Sequence, residues 1–169
     1  MSDLLPLREG HVKMRQIKIS DSARASINRE AKRSYDGLET GGILLGTETR
    51  NGNIIIRHAG DPGPGAQRGQ NTFLRDLEHA QKLAQTAWNT DKSEWIGEWH
   101  THPSGPLSPS SVDLHSYLRH LHDRELAFAR FVAIIACIDS SDRTTIATWL
   151  IDRKHIQQIK MEKLNDTEL

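Results

Sequence analysis

Eight consecutive residues, Phe131 to Ile138 (FVAIIACI), are apolar apart from one thiol. A run this short, rich in β-branched residues, reads as a central strand rather than a helix. Ser140-Ser141-Asp142 then supplies a turn, and Thr144 to Ile151 returns as a partner strand. A strand with no polar face needs cover on both sides, so the rest of the chain must provide further strands and flanking helices. With 169 residues the chain has the length for one such core. The order of elements predicts a single α+β (α/β) domain, a mixed β-sheet flanked by helices.

Val12 to Ile19 reads as an opening strand, after which Ser20 or Asp21 caps a helix. Ala23, Ile27, Ala31 and Tyr35 recur at helical spacing, and Asp36-Gly37 stops the pattern. Gly42 to Gly46 and Ile54 to Ile56 read as strands joined through Asn51-Gly52, a hairpin turn with positive φ at both residues. Gly60 to Gln70 (GDPGPGAQRGQ) reads as a loop. A second helix is expected over Phe73 to Trp88, burying Leu77, Ala80, Leu83, Ala84, Ala87 and Trp88. Glu94 to His100 reads as a strand and Thr101 to Leu107 as a loop. A third helix is expected to start at Ser108-Pro109 and to bury Leu114, Leu118 and Leu121. The strand tryptophans Trp95, Trp99 and Trp149 are assigned to the core. Residues 154–164 fit a last strand or a helix equally well. The boundaries are residues 1–11 as an N-terminal extension, 12–164 as the domain and 165–169 as a frayed tail.

Cys137 is the one cysteine, which excludes an intrachain disulfide framework and a Cys-rich structural zinc site and suits a reducing compartment. Met1 to Glu9 lack the apolar stretch of a signal peptide, and no segment is long and apolar enough to span a bilayer. The expected location is the cytoplasm, with no membrane partner. Lys+Arg and Asp+Glu both number 22, so no basic field points to nucleic acid.

Nine histidines stand out. His11, His58, His79, His120, His122 and His155 are scattered, and His115 falls at a helix position expected to face solvent. His100 and His102 differ, because residues two apart at a strand end point to one side. Alone, such a pair suits two satisfied polar side chains. Ser110 and Asp113, however, stand three apart in the first turn of the next helix and share a face. Two imidazoles, one carboxylate and an open position suit a catalytic zinc, which lowers the pKa of bound water toward ~7. A hydrolase of this type also needs a general base. Glu39, where the first helix has ended and Gly41-Gly42 permits close backbone approach, is the candidate. Glu98, deeper in the same strand, is given at most a supporting role, and Arg68 is placed on a substrate path or in an ordinary loop.

The sequence His100-Thr101-His102-Pro103, six residues, then Ser110-Ser111-Val112-Asp113, with Glu39 upstream, resembles the JAB/JAMM (MPN-plus) metallopeptidase signature over roughly Ile17 to Ile151. That resemblance implies a JAB/MPN (cytidine-deaminase-like) fold and one Zn2+ per chain held by His100, His102 and Asp113. It also implies Glu39 as catalytic acid/base and Ser110 as a stabiliser of the oxyanion. The implied reaction is hydrolysis after the C-terminus of a ubiquitin or ubiquitin-like protein, in a conjugate or a precursor. The chain resembles small stand-alone bacterial members with GEWHTHP, several of which stand in anti-phage operons beside E1- and E2-like enzymes. The implied partners are therefore a ubiquitin-like protein or its conjugate, and E1/E2-like enzymes, in antiviral defence. The same chemistry would serve a peptidase acting on a sulfur-carrier protein, and the same fold a non-catalytic MPN scaffold.

Overall fold

The computed structural model describes residues 15–165 and Thr167. The extension over 1–11, the first part of the strand expected from Val12 and most of the 165–169 tail lie outside the described residues. The elements are β1 (Ile17–Ile19), α1 (Asp21–Ala31) with a 3-10 turn (Lys32–Asp36), β2 (Gly41–Glu48), β3 (Ile54–Ala59), β4 (Gln67–Arg68), β5 (Phe73–Leu74), α2 (Leu77–Asp91), β6 (Glu94–Thr101), α3 (Ser111–His122), β7 (Phe131–Ile138), β8 (Thr144–Ile151), β9 (Ile156–Gln158) and β10 (Met161–Lys163).

Eight strands form one sheet in the order β10-β1-β3-β2-β6-β7-β8-β9, and β4-β5 is a separate small hairpin. Pairing is parallel for β1 with β3 and β10 and for β6 with β7, and antiparallel elsewhere. β9 and β10 are the two edges of the sheet, yet only Ile159 and Lys160 separate them in the chain. The sheet therefore curls until its edges approach each other. The inside of the curl is filled by α1: Ala23, Ile27 and Ala31 pack against Ile17, Ile19, Leu44, Ile56, Trp99, Val132 and Ile134. On the other face α3 sets Tyr117 and Leu121 on Phe131 and Ala133, and α2 sets Ala80 and Ala87 on Ile43 and Leu45. β7 is central, as its composition requires, with alternate residues feeding opposite faces. The fold is α+β, a mixed curled sheet with three helices.

Several boundaries differ from expectation. Tyr35 is 58% exposed, because the helix tightens into a 3-10 turn after Ala31 and swings the ring outward, where its hydroxyl donates to Asp142 Oδ1 at 2.8 Å. In the β2-β3 hairpin Gly52 alone has positive φ (79°), while Asn51 does not. The loop is longer than a two-residue turn, closed by Gly52 N–H to Thr49 O and Thr49 N–H to Asn53 O. The Gly/Pro-rich loop contains β4, and its partner β5 takes Phe73-Leu74 out of the second helix. α2 starts later because the Asp76 carboxylate accepts the His79 N–H and caps it. With that start Leu77 and Trp88 are exposed rather than buried. In α3 Tyr117 takes the buried place and Leu118 is exposed. Trp99 is buried and Trp95 and Trp149 pack against the core, as assigned. The C-terminal stretch forms two short strands rather than a helix. Among the described residues no helix is long and apolar enough to cross a membrane.

Because the sheet closes around α1, replacing the fully buried Ile27 by Ala leaves a cavity that neighbours on several strands cannot fill. The expected cost is about 2–5 kcal/mol in urea unfolding. Leu118→Ala, at an exposed position of α3, is expected to stay within about 0.5 kcal/mol of the parent protein.

Candidate metal centre

β6 is paired on both sides, with Gly41 of β2 and Ile135 of β7 opposite His100. Trp99 turns into the α1 core and donates its indole N–H to Gly60 O at 2.9 Å. Strand alternation then sends His100 to the opposite face. His102 lies just past the strand and is held by its N–H to Ala136 O (2.9 Å). Both histidines are buried. The third helix begins two residues later than its Ser-Pro dipeptide suggests. Ser110 is the N-cap: its Oγ accepts Asp113 N–H (3.1 Å), and Asp113 Oδ2 accepts Ser110 N–H (2.7 Å). This reciprocal capping box outcompetes a start at Ser108 because both bonds form together. It also locks the Asp113 carboxylate beside the strand end.

The donor atoms converge. His100 Nε2 and His102 Nε2 are 3.0 Å apart, and each is 3.3 Å from an Asp113 oxygen. A tetrahedral ion with bonds of about 2.0–2.2 Å requires donor separations of about 3.3–3.6 Å; each imidazole meets that separation to its own Asp113 oxygen, and the two nitrogens, at 3.0 Å, would part by about 0.3 Å to take up such an ion. His102 Nδ1 is 2.8 Å from Pro106 O. Donation of Nδ1–H to that carbonyl leaves the Nε2 lone pair facing the other two donors. Among the described residues, no other group of His, Cys, Asp and Glu side chains comes together in this way.

The electrostatics are coupled. Burial opposes the charged form of Asp113, but contacts with His100 and His102 and the Ser110 N–H outweigh it and hold the carboxyl far below its usual range. His102 is raised, first by its contact with Asp113 and against its own burial. Glu39 is raised by burial, which the two imidazoles counter only in part.

Glu39 reaches this region on the segment between the 3-10 turn and β2. Thr40 N–H donates to Thr101 Oγ1 (2.9 Å) and Thr101 N–H returns to Thr40 O (2.8 Å). The Thr101 hydroxyl also bonds Ser34 Oγ, and Thr40 Oγ1 donates to Glu30 Oε1 (2.8 Å). Gly41 is needed here: a Cβ would overlap Trp99 O and lie 2.8 Å from His100 Cα. Glu39 lines two clefts that flank the triad. One, of about 350 Å³, includes His102, Pro106 and Ser110. The other, of about 250 Å³, includes His100, Asp113, Phe73 and Leu74.

The structure thus brings Glu39, His100, His102, Ser110 and Asp113 to one place. Glu98 lies in the second cleft but pairs with Arg75 (2.8 Å) and bonds neither histidine. His115 is an exposed wall residue of that cleft. Arg68 does not line either cleft and folds back on the Glu39 segment. Thr40, Gly41 and Thr101 had not been singled out as a group. The available signal for Thr101 was its place between two residues that must face the other way.

Residues 20–152 match the family described as prokaryotic homologs of the JAB domain. A protein of Escherichia coli (strain TW11681) named CD-NTase/cGAS isopeptidase is 30% identical over 54% of this chain and 60% of its own length. One of Vibrio cholerae with the same name is 32% identical over 49% of this chain and 54% of its length. A Sinorhizobium fredii protein named "Probable metalloprotease y4qB" is 29% identical over 72% and 75%. The chain thus spans little more than half the length of the first of these relatives. A solution structure of a Desulfitobacterium hafniense protein shares the fold, with TM-score 0.66 at 17% identity over 89% of this chain and 94% of that one.

Elemental analysis of the purified protein is expected to find about one zinc per chain, and little in His100→Ala or Asp113→Ala. A ligand present at a thousandfold over its Kd stabilises by about 4 kcal/mol. Chelation should therefore lower Tm by about 10 °C at this size, and zinc should restore it.

Proposed function

The chain belongs to the family of prokaryotic homologs of the JAB domain, and from that premise we propose that it is a zinc-dependent isopeptidase, with residues 12–164 as its catalytic domain. The observation that carries this is the convergence of two imidazole nitrogens and a carboxylate at 3.0–3.3 Å beside a buried glutamate. His100, His102 and Asp113 would hold the metal. Zinc bound there supplies Lewis acidity, acidifying water and polarising the scissile carbonyl.

The rest falls to side chains. Glu39, raised by burial, takes a proton from the attacking water and passes it to the departing amine. Water is thereby split across the C–N bond, hydroxyl to the acyl carbon and hydrogen to nitrogen. Ser110 Oγ already accepts Asp113 N–H, which leaves its O–H to donate to the oxygen that gains charge in the transition state. The relatives' name, CD-NTase/cGAS isopeptidase, supports a conjugate as substrate. We place the acyl side on the C-terminus of a ubiquitin-like protein or CD-NTase and the amine on a target lysine. The setting we propose is antiviral defence in the bacterial cytoplasm, with E1/E2-like enzymes making the bond that this protein breaks.

Incubating the zinc-loaded protein with a CD-NTase or ubiquitin-like C-terminus linked to lysine should release both halves. Glu39→Gln should keep its zinc and lose about 10²–10⁴-fold in kcat. The base must be unprotonated, so kcat/KM should fall at acid pH, and that acid limb should be missing from the residual activity of Glu39→Gln. Full activity in zinc-loaded Glu39→Gln would sink the assignment. Ser110→Ala should lose about 10²-fold in kcat and, separately, about 1 kcal/mol of stability through its cap.

A further inference from the structure

Among the described residues the Glu39 carboxylate makes no hydrogen bond, so its aim is set by its backbone. What holds that backbone on the downstream side is Thr101, through Thr40. On the upstream side it is one guanidinium. Arg68 is mostly buried and directs its fork at a single segment. Nη1 and Nη2 donate to the two Asp36 carboxylate oxygens at 2.7 and 3.1 Å. Nη2 also reaches Leu38 O (3.1 Å), and Nε reaches Glu39 O (3.0 Å). The Glu39 N–H completes the tie by donating to Gly69 O at 2.8 Å. Residues 36–39, which have no ladder of their own, are therefore hydrogen-bonded to residues 68–69.

Residues 68–69 lead into the tip of the β4-β5 hairpin, closed by Gly69 N–H to Thr72 O (2.8 Å). The tip residues Gln70 and Asn71 wall the cleft that holds His102, and Asn71 also walls the cleft that holds His100. We infer that Arg68 is a positioning residue for Glu39, a clamp that ties the carboxylate's backbone to the hairpin overhanging the metal centre. The inference deepens the isopeptidase reading and rests on it for its catalytic consequence. Lysine cannot replace the clamp, because one ammonium cannot span a carboxylate and two carbonyls in a planar fork. Loss of the clamp frees Leu38 O and Glu39 O and lets the segment relax. A displacement near 1 Å at a reacting group costs about 10²-fold in rate.

The test compares wild type, Arg68→Ala, Arg68→Lys and Asp36→Asn in two measurements. The first is amide hydrogen exchange, which needs no substrate. The Glu39 amide is expected to exchange at least about 10-fold faster in both Arg68 variants, while the Thr101 amide is unchanged. The second is cleavage of a lysine-linked CD-NTase or ubiquitin-like C-terminus by zinc-loaded protein. Here kcat should fall about 10–100-fold, with KM within about 3-fold and zinc still about one per chain. Added guanidinium should restore part of kcat in Arg68→Ala and none in Arg68→Lys, with Asp36→Asn between wild type and Arg68→Ala. Unchanged Glu39 exchange, or kcat within about twofold of wild type, overturns the inference, as does activity lost together with the zinc. If wild type itself cleaves neither probe, the isopeptidase reading fails, and the exchange data still decide whether Arg68 orders Glu39.

Discussion

Everything in the centre depends on the pleat of β6. Because the strand is paired with β2 on one side and β7 on the other, it cannot rotate or slip by one residue without exchanging its faces. Trp99 anchors the choice by filling the α1 core and bonding Gly60 O. The opposite face then receives His100, and Thr101 beyond it turns back toward the Glu39 segment. From Trp99 onward the chain thus divides its labour by parity: Trp99 and Thr101 hold the scaffold, and His100 and His102 present the imidazoles.

Charge explains why the cluster sits at a helix start. A buried carboxylate is unfavourable unless it is bonded or paired. Asp113 is offset by the Ser110 N–H, by both histidines and by the positive end of α3. Its capping bond is therefore also an orienting bond, fixing one oxygen so that the other faces His100. Ser110 takes part in the same exchange, so its capping role and its proposed chemical role share one hydroxyl without competing for the same part of it. The Nδ1 of His102 is engaged by Pro106 O, which ties the loop after β6 into the same network.

How much of this was legible in the sequence follows from which signals are local. β7 was readable because eight apolar residues leave one physical option, and the histidine pair because strand parity is rigid. Asp113 and Ser110 were legible as a pair, although the Ser108-Pro109 dipeptide, a good helix start in isolation, hid the true cap. The two-residue β4 and β5 were hidden because their pairing is a tertiary event within a Gly/Pro-rich stretch. Tyr35 misled by keeping helical spacing into a segment whose winding had changed. The family pattern marked Glu39, but the contacts that aim it come from residues 68–69 and 101, too distant in sequence for periodicity to register.

This difference in what is local bears on how the two halves of the chemistry are supported. The proposed metal ligands rest on a paired strand and a capped helix, elements that stay ordered for reasons unrelated to substrate. Glu39 rests on an irregular segment held by side-chain bonds to a hairpin that forms part of the cleft walls. Ligand atoms must hold fixed separations for an ion to bind at all, which favours regular structure. A general base must instead meet first a water and then a leaving amine, and a polypeptide entering the cleft would press on the hairpin that carries its backbone ties. On the proposed reading, the ligand separations would be held by the sheet and the helix cap, and the aim of Glu39 by side-chain ties to a cleft wall.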